Sequence, residues 1–191
     1  NVSSPNTKNL RDLQKPELLE KILKNVKSIN VSLKSPVPIF IKIAPDLYKN
    51  NIIEILNVCE ENGVSGLIAT NTTISSKTLK KPTNFEGGLS GKPLFKPSNN
   101  ILRLLAKKKN ASTALIGVGG IFSATDIYEK IKMGASAVQI YTSFVYNGPR
   151  HVKKMEVELK KLLLNDGYST IDSAVGAVSY THLRAHETAS D

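Results

Sequence analysis

Ala114-Leu115-Ile116-Gly117-Val118-Gly119-Gly120 is an apolar run that ends directly in two glycines. An unbroken apolar stretch of this length suits a strand covered on both faces, as in a parallel sheet. The residues beyond it predict a helix. Ser123-Ala124-Thr125-Asp126 has capping-box spacing, in which the serine hydroxyl and the acidic side chain satisfy each other's backbone amides. Gly134 marks the helix end, where left-handed backbone is needed. The unit is therefore strand, glycine turn, helix.

The same unit recurs outward from this stretch. On the N-terminal side, residues 37–43 form an apolar run interrupted by Lys42 and closed by Ala44-Pro45-Asp46. A helix over 51–62 comes next, with Ile52, Ile55, Leu56 and Cys59 on one face and Gly63 at its stop. Residues 66–70 read as another buried strand and run into Asn71-Thr72-Thr73. A long connection over 74–97 carries Gly87-Gly88-Leu89-Ser90-Gly91-Lys92-Pro93 and leads to a helix over 98–109. Such a loop in a compact domain is usually functional. On the C-terminal side, residues 137–142 read as the last strand. A long helix succeeds it, with Pro149 in its first turn and Gly167 beyond its last. An amphipathic helix built on Leu18, Leu19, Ile22, Leu23 and Val26 precedes the whole series.

Strands that are each succeeded by a helix predict an α/β fold with a parallel sheet and right-handed crossovers. The polar and glycine residues gather where the strands end: Lys42, Thr70-Asn71-Thr72, Gly119-Gly120 and Tyr141-Thr142. A TIM (β/α)8 barrel places its active site there. A Rossmann arrangement is disfavoured, because no Gly-x-Gly-x-x-Gly turn comes after the first strand. Three strand–helix units are counted as complete, with residues 1–7 as the tail of a further strand. The expectation is the C-terminal half of a barrel, about strands 4–8 with their helices, lacking the N-terminal half.

Composition narrows the function. With 40% hydrophobic and 22% charged residues, the 191-residue chain is globular. No apolar run approaches a membrane span of about 20 residues, and the start has no signal-peptide pattern. Cys59 is the single cysteine, so an internal disulfide and a cysteine-cluster metal site are both excluded. The formal charge is +10, yet the lysines are spread along helices. The one dense run, Lys107-Lys108-Lys109, lies at a helix end where cations suit the dipole. No aromatic residues interleave with it as in a nucleic-acid stacking platform. Solvated helix faces account for the charge, and no nucleic-acid partner is expected.

Asn1-Val2-Ser3-Ser4-Pro5-Asn6-Thr7 holds two carboxamides and three hydroxyls with no charged side chain. These are neutral donors and acceptors, brought together by the fixed angle at Pro5. Together with Phe40-Ile41-Lys42-Ile43-Ala44-Pro45-Asp46, Ala69-Thr70-Asn71-Thr72-Thr73, Gly87-Gly88-Leu89-Ser90-Gly91-Lys92-Pro93-Leu94, Ile116-Gly117-Val118-Gly119-Gly120-Ile121 and Gln139-Ile140-Tyr141-Thr142-Ser143, in this order, it resembles the C-terminal half of a class 2 dihydroorotate dehydrogenase. The resemblance covers residues 1–178. It implies an FMN-containing barrel that oxidises dihydroorotate to orotate in pyrimidine biosynthesis and passes electrons to a quinone. Class 2 members use a serine base and class 1 members a cysteine, so Ser4 points to class 2. In a related dihydropyrimidine-type oxidoreductase a cysteine would be expected there.

The resemblance also implies roles. Ser4 is the catalytic base, taking a proton from C5 while hydride leaves C6 for the flavin. Asn1, Asn6, Asn71 and Thr72 hold the pyrimidine ring and its carboxylate. Lys42 meets the flavin near N1 and the C2 carbonyl. Asn1, Thr70, Ser90 and Gly91 make further flavin contacts. Gly119, Gly120, Tyr141 and Thr142 form the phosphate site, with no metal.

It further implies a mitochondrial inner-membrane location, with membrane association and most of the quinone site in an absent N-terminal segment. The half-barrel by itself is expected to be inactive. Residues 179–191, with His182 and His186 four apart, leave the pattern and are expected to be a non-native or disordered tail. The alternative reading is a non-catalytic basic half-barrel that binds phosphate or nucleic acid.

Overall fold

The computed structural model describes residues 1–76, 79 and 86–178. Its core is a four-stranded parallel sheet in sequential order: β1 (Phe40–Ile43), β2 (Gly66–Ala69), β3 (Ala114–Val118) and β4 (Ala137–Gln139). The crossovers are helical. α1 (Pro16–Ser32) precedes the sheet, α2 (Lys49–Glu61), α3 (Phe95–Lys108) and α4 (Ala124–Lys132) link its strands, and α5 (Thr142–Asn147), α6 (Pro149–Asn165) and α7 (Ile171–Ala174) come after it. The architecture is α/β, a sector of a TIM barrel wall.

Strand alternation explains the layers, since neighbouring side chains point to opposite faces. In β1, Ile41 and Ile43 face the helices and are buried, while Phe40 and Lys42 face the concave side and are half-buried. Leu67 and Leu115 share the helix-facing layer with them. They meet Leu19 and Leu23 of α1, Ile52, Ile55, Leu56 and Cys59 of α2, and Leu102 and Leu105 of α3. Each such Leu or Ile contributes about 1.5–3 kcal/mol on burial. A second cluster joins α4 to α6 through Ile127, Tyr128, Ile131, Met155, Leu159 and Leu163. Cys59 is a core residue as expected. Burial first, and then the charge of Glu60, push its thiol up to about 12, so it stays protonated.

The concave face lines the site. Lys42 of β1 donates to Gln139 Oε1 of β4 at 3.4 Å, across two intervening strands. On a flat sheet these strands lie roughly 14 Å apart. Both side chains rise from the concave face, so their meeting reflects the inward curl of a barrel wall.

Four expected boundaries are corrected. Residues 1–7 form no strand. Local bonds replace a ladder there: Asn1 Oδ1 accepts from Ser3 N at 3.1 Å and Ser4 Oγ from Asn6 N at 3.3 Å. The first strand begins at Phe40 rather than at residue 37. Pro38 has no N–H for a ladder, and Val37 gives both its backbone groups to the Asn30 carboxamide. α3 starts at Phe95, three residues before the expected Ser98. Pro97 is tolerated because the first-turn amides have no helical partner in any case. β4 stops at Gln139 because Thr142 already opens α5. Complete strand–helix units therefore number four, not three, the last closing through α6. The tail over 179–191, with His182 and His186, lies outside the described residues. Among the described residues no helix is long and apolar enough to cross a membrane.

Candidate active site

A cavity of about 220 Å³ opens at the C-terminal ends of the strands. Its lining includes Lys42, Thr70, Asn71, Thr72, Ser90, Gly91, Gly119, Gly120, Tyr141 and Thr142. All ten are sequence-predicted site residues, brought to one place by the parallel register. Asn1, Ser4 and Asn6 are not in its lining; Asn1 is bonded to the lining residue Asn71, and Asn6 lines a separate depression.

The N-terminal segment is held by side-chain bonds. Ser3 is fully buried; its hydroxyl donates to Asn1 Oδ1 at 3.0 Å and accepts from Asn71 Nδ2 at 3.1 Å. Asn71 Nδ2 also donates to Asn1 Oδ1 at 3.3 Å. Asn71 Oδ1 in turn accepts from Thr72 N at 2.7 Å. Thr70, fully buried, donates from Oγ1 to Asn71 O at 3.0 Å. The two adjacent serines therefore differ. Ser3 is spent on structure, while half-exposed Ser4 accepts from Asn6 N and donates to no partner among the described residues. Asn6 is exposed beside Pro5, Gly87 and Gly88 around a shallow open depression.

Arg11 was not among the sequence-predicted residues. It donates to Ser3 O at 3.1 Å, to Thr72 O at 2.8 Å and to Asp46 Oδ2 at 2.7 Å. Asp46 also accepts from Ile74 N at 3.1 Å and from the Thr73 hydroxyl. One guanidinium thus ties the N-terminal segment to the ends of β1 and β2. Its planar fork suits this, because the donors leave in fixed directions. Gln14, buried, completes the tie by accepting from Ala44 N at 2.8 Å. The Pro45-Asp46 pair reads as a strand stop, and that stop was the only signal in the sequence.

The long loop folds onto this cluster. Leu89 and Thr73 exchange backbone hydrogen bonds of 2.7 and 3.1 Å. A Cβ at Gly88 would lie 1.9 Å from Thr72 Oγ1 and 2.8 Å from Pro5 Cγ, so only glycine permits the contact. At the loop's far end Thr142 Oγ1 donates to Ser90 Oγ at 3.0 Å.

The β3 and β4 ends are built from backbone. Gly120 has φ +72°, and a Cβ there would lie 2.5 Å from Phe95 Cβ. The turn therefore lies flat on the first turn of α3. Ser143, in the cavity lining, buries a hydroxyl that has no partner among the described residues. Tyr141 is 77% exposed at the open edge. Lys42 has its pKa lowered by burial, and its hydrogen-bond partner, Gln139, is neutral. A half-buried cation with so little compensation suits an anionic or electron-rich ligand.

The comparisons with known proteins agree with this geometry. Residues 1–163 match the family model described as dihydroorotate dehydrogenase. The chain belongs to the dihydroorotate dehydrogenase family. It is 48% identical over 160 residues to the dihydroorotate dehydrogenase (quinone) of Christiangramia forsetii, covering 83% of this chain and 47% of the relative. With the dihydroorotate dehydrogenase (quinone) of Cereibacter sphaeroides it shares 45% identity over 177 residues, covering 92% and 50%. The chain thus spans about half the length of the curated relatives it matches. A crystal structure of the Eimeria tenella dihydroorotate dehydrogenase in complex with ferulenol superposes with a TM-score of 0.87 at 35% identity, covering 94% of this chain and 53% of that one. Its ligand-free counterpart gives 0.88. Half-coverage of this barrel family fits a sheet that stops at two open edges, β1 and β4.

Proposed function

We propose that the chain carries the catalytic base and much of the flavin site of a class 2 dihydroorotate dehydrogenase, which oxidises dihydroorotate to orotate with FMN and delivers the electrons to a quinone. The observation that carries this reading is one cavity lined by ten of the family-matched positions. The residues fit the cofactor. Gly119 and Gly120 line the cavity in a tight turn whose Cβ positions would collide with Leu94, Ser98 and Phe95 beneath it, and Ser143 offers a buried hydroxyl with no partner among the described residues. Lys42 supplies a cation on the concave face, Thr70 lies beside it, and Ser90 and Gly91 close the loop over it.

FMN, when bound, supplies the hydride acceptor for C6 of the substrate. Ser4 Oγ takes the proton from C5 as its own O–H proton passes to water or to a neighbouring acceptor; a serine is too weak a base without that relay. Asn1, Asn6, Asn71 and Thr72 orient the ring through paired donors and acceptors. Because Ser3, Arg11 and Gln14 lock the segment that carries them, the site is organised before substrate arrives.

We place the whole protein at the mitochondrial inner membrane, where a quinone is available. Residues 1–191 alone are expected to aggregate or to hold FMN poorly, since the sheet edges are unpaired and Tyr141, Phe144, Val145 and Tyr146 are exposed beside β4. The decisive test expresses the full-length protein and measures its flavin spectrum and dihydroorotate-dependent quinone reduction. Stoichiometric flavin with turnover is expected, with the protein in the inner-membrane fraction. Salt-sensitive polynucleotide binding without flavin would instead favour a basic binding module.

A further inference from the structure

Lys130 is the one charged side chain fully buried among the described residues. Lysine is almost never buried without a partner. Among the described residues no carboxylate bonds it directly. Its Nζ donates to Asn99 Oδ1 at 2.6 Å and to Ser98 Oγ at 2.9 Å, and lies 5.1 Å from the centre of the Phe95 ring. Glu129 compensates at one remove, accepting from Asn99 Nδ2 at 3.2 Å. Burial outweighs the nearby Glu129 and Asp126 and lowers the ammonium to about 8. Packing alone does not explain this choice, because an apolar residue of similar volume is commonly as stable in such a place.

What Lys130 touches is informative. Ser98 and Phe95, together with Leu94, are the residues on which the glycine turn rests. Ser98 Oγ shares its proton between Phe95 O at 3.0 Å and Gly119 O at 3.3 Å, and a Cβ at Gly119 would approach that same hydroxyl oxygen to 3.0 Å. Phe95 lies under Gly120. The Lys130 stem passes beneath Gly117, one residue before Val118. The contact chain is Lys130, then Ser98 and Phe95, then Gly119 and Gly120.

We propose that Lys130 is a positioning residue for phosphate binding: through Ser98 and Phe95 it fixes the Gly119–Gly120 turn in the shape that presents its backbone to the phosphate ester of the flavin. This deepens the reading above and rests on it. Lys130 touches no ligand itself. Its effect is confined to the phosphate end of the site, while the ring end is organised separately by Lys42, Thr70 and Asn71.

The test compares FMN with riboflavin, which carries the same ring without the phosphate. Dissociation constants are measured by flavin fluorescence on the full-length protein, wild type, Lys130→Met and Ser98→Ala. Lys130→Met is expected to weaken FMN about tenfold or more, the scale of a hydrogen bond to a charged group, while riboflavin changes less than about twofold. Ser98→Ala is expected to show a smaller loss of the same selectivity. Equal weakening of both flavins, or of neither, overturns the proposal. Should Lys130→Met fail to fold, Ser98→Ala decides by the same criterion. If wild type binds neither flavin, the functional reading fails, and calorimetric titration with inorganic phosphate decides the rest. Phosphate binding that Ser98→Ala weakens supports the turn's role, and no phosphate binding to wild type overturns it.

Discussion

The two ends of the cavity are built by opposite means. Beside β1 and β2, side chains form the frame: Arg11, Asp46, Ser3, Asn1 and Asn71 bond one another, and beside them Ser4 donates to no partner among the described residues. Beside β3 and β4, the lining turn is Gly119 and Gly120, which carry no side chains, and the supporting polar groups, Ser98 and Lys130, are buried behind it. A flat heterocyclic substrate needs several directed neutral contacts, which carboxamides and hydroxyls provide. A phosphate needs close approach of backbone dipoles, which side chains obstruct.

Breaking either end should therefore have a different signature. The largest expected effect is at Ser4. In the full-length protein Ser4→Ala should lower kcat about 10²–10⁴-fold, as for loss of a general base, with melting temperature unchanged. Ser3→Ala should do the reverse, costing about 1–2 kcal/mol of stability for its buried hydrogen bonds and less in kcat. If Ser3→Ala reduced kcat more than Ser4→Ala, the division between structural and catalytic serine would collapse.

Next is Gly120→Ala. Its Cβ meets Phe95 backbone and side chain, and φ is positive. Denaturant unfolding should show a loss of about 3 kcal/mol, combining left-handed strain with overpacking. FMN affinity should fall with it.

Arg11→Met keeps the stem and removes the fork. It leaves Asp46 without its cation and takes a donor from Ser3 O and Thr72 O. Because the pair is about one-fifth exposed, the expected stability loss is about 2 kcal/mol, with a raised KM for dihydroorotate and little change in FMN binding. An FMN-selective defect would show that the two ends are not independent.

The last effect is gradual. Lys130 has a folded pKa of about 8 against an ordinary 10.5. Between these values the unfolded chain holds a proton that the folded one has released. Stability should therefore rise with pH across that window, by at most about 1.4 kcal/mol per pH unit. Below pH 8 both states are protonated and the contribution is flat. Urea midpoints of wild type and Lys130→Met, taken from about pH 7.5 to about pH 10.5, should diverge in slope only within the window.

The convergence of most of the candidate site was legible because a parallel sheet makes it so. Each strand delivers its trailing residues to the same end, so Lys42, Asn71, Gly119 and Thr142 converge without any need to know their contacts. Residues 1–7 fail as a strand for an equally local reason. Their polar density is real, but Asn1 and Ser4 satisfy backbone amides within their own segment. The fourth strand–helix unit was undercounted because α5 intervenes between β4 and α6. Arg11 and Lys130 were not legible at all. Each sits among residues whose pattern reads as an ordinary helix or turn, and their hydrogen-bond partners are 61 and 32 positions away at the farthest.

By itself the sequence determined the α/β alternation, the ends of the strands as the site, and Ser4 as the candidate base. These depend on local periodicity and on motifs that travel along the chain. The tertiary structure alone decided which serine is free, which arginine binds the first segment to the strand ends, and that a lysine lies buried beneath the glycine turn. Those are matters of which donor meets which acceptor across the fold, and burial makes the pairing obligatory only once the chain is packed.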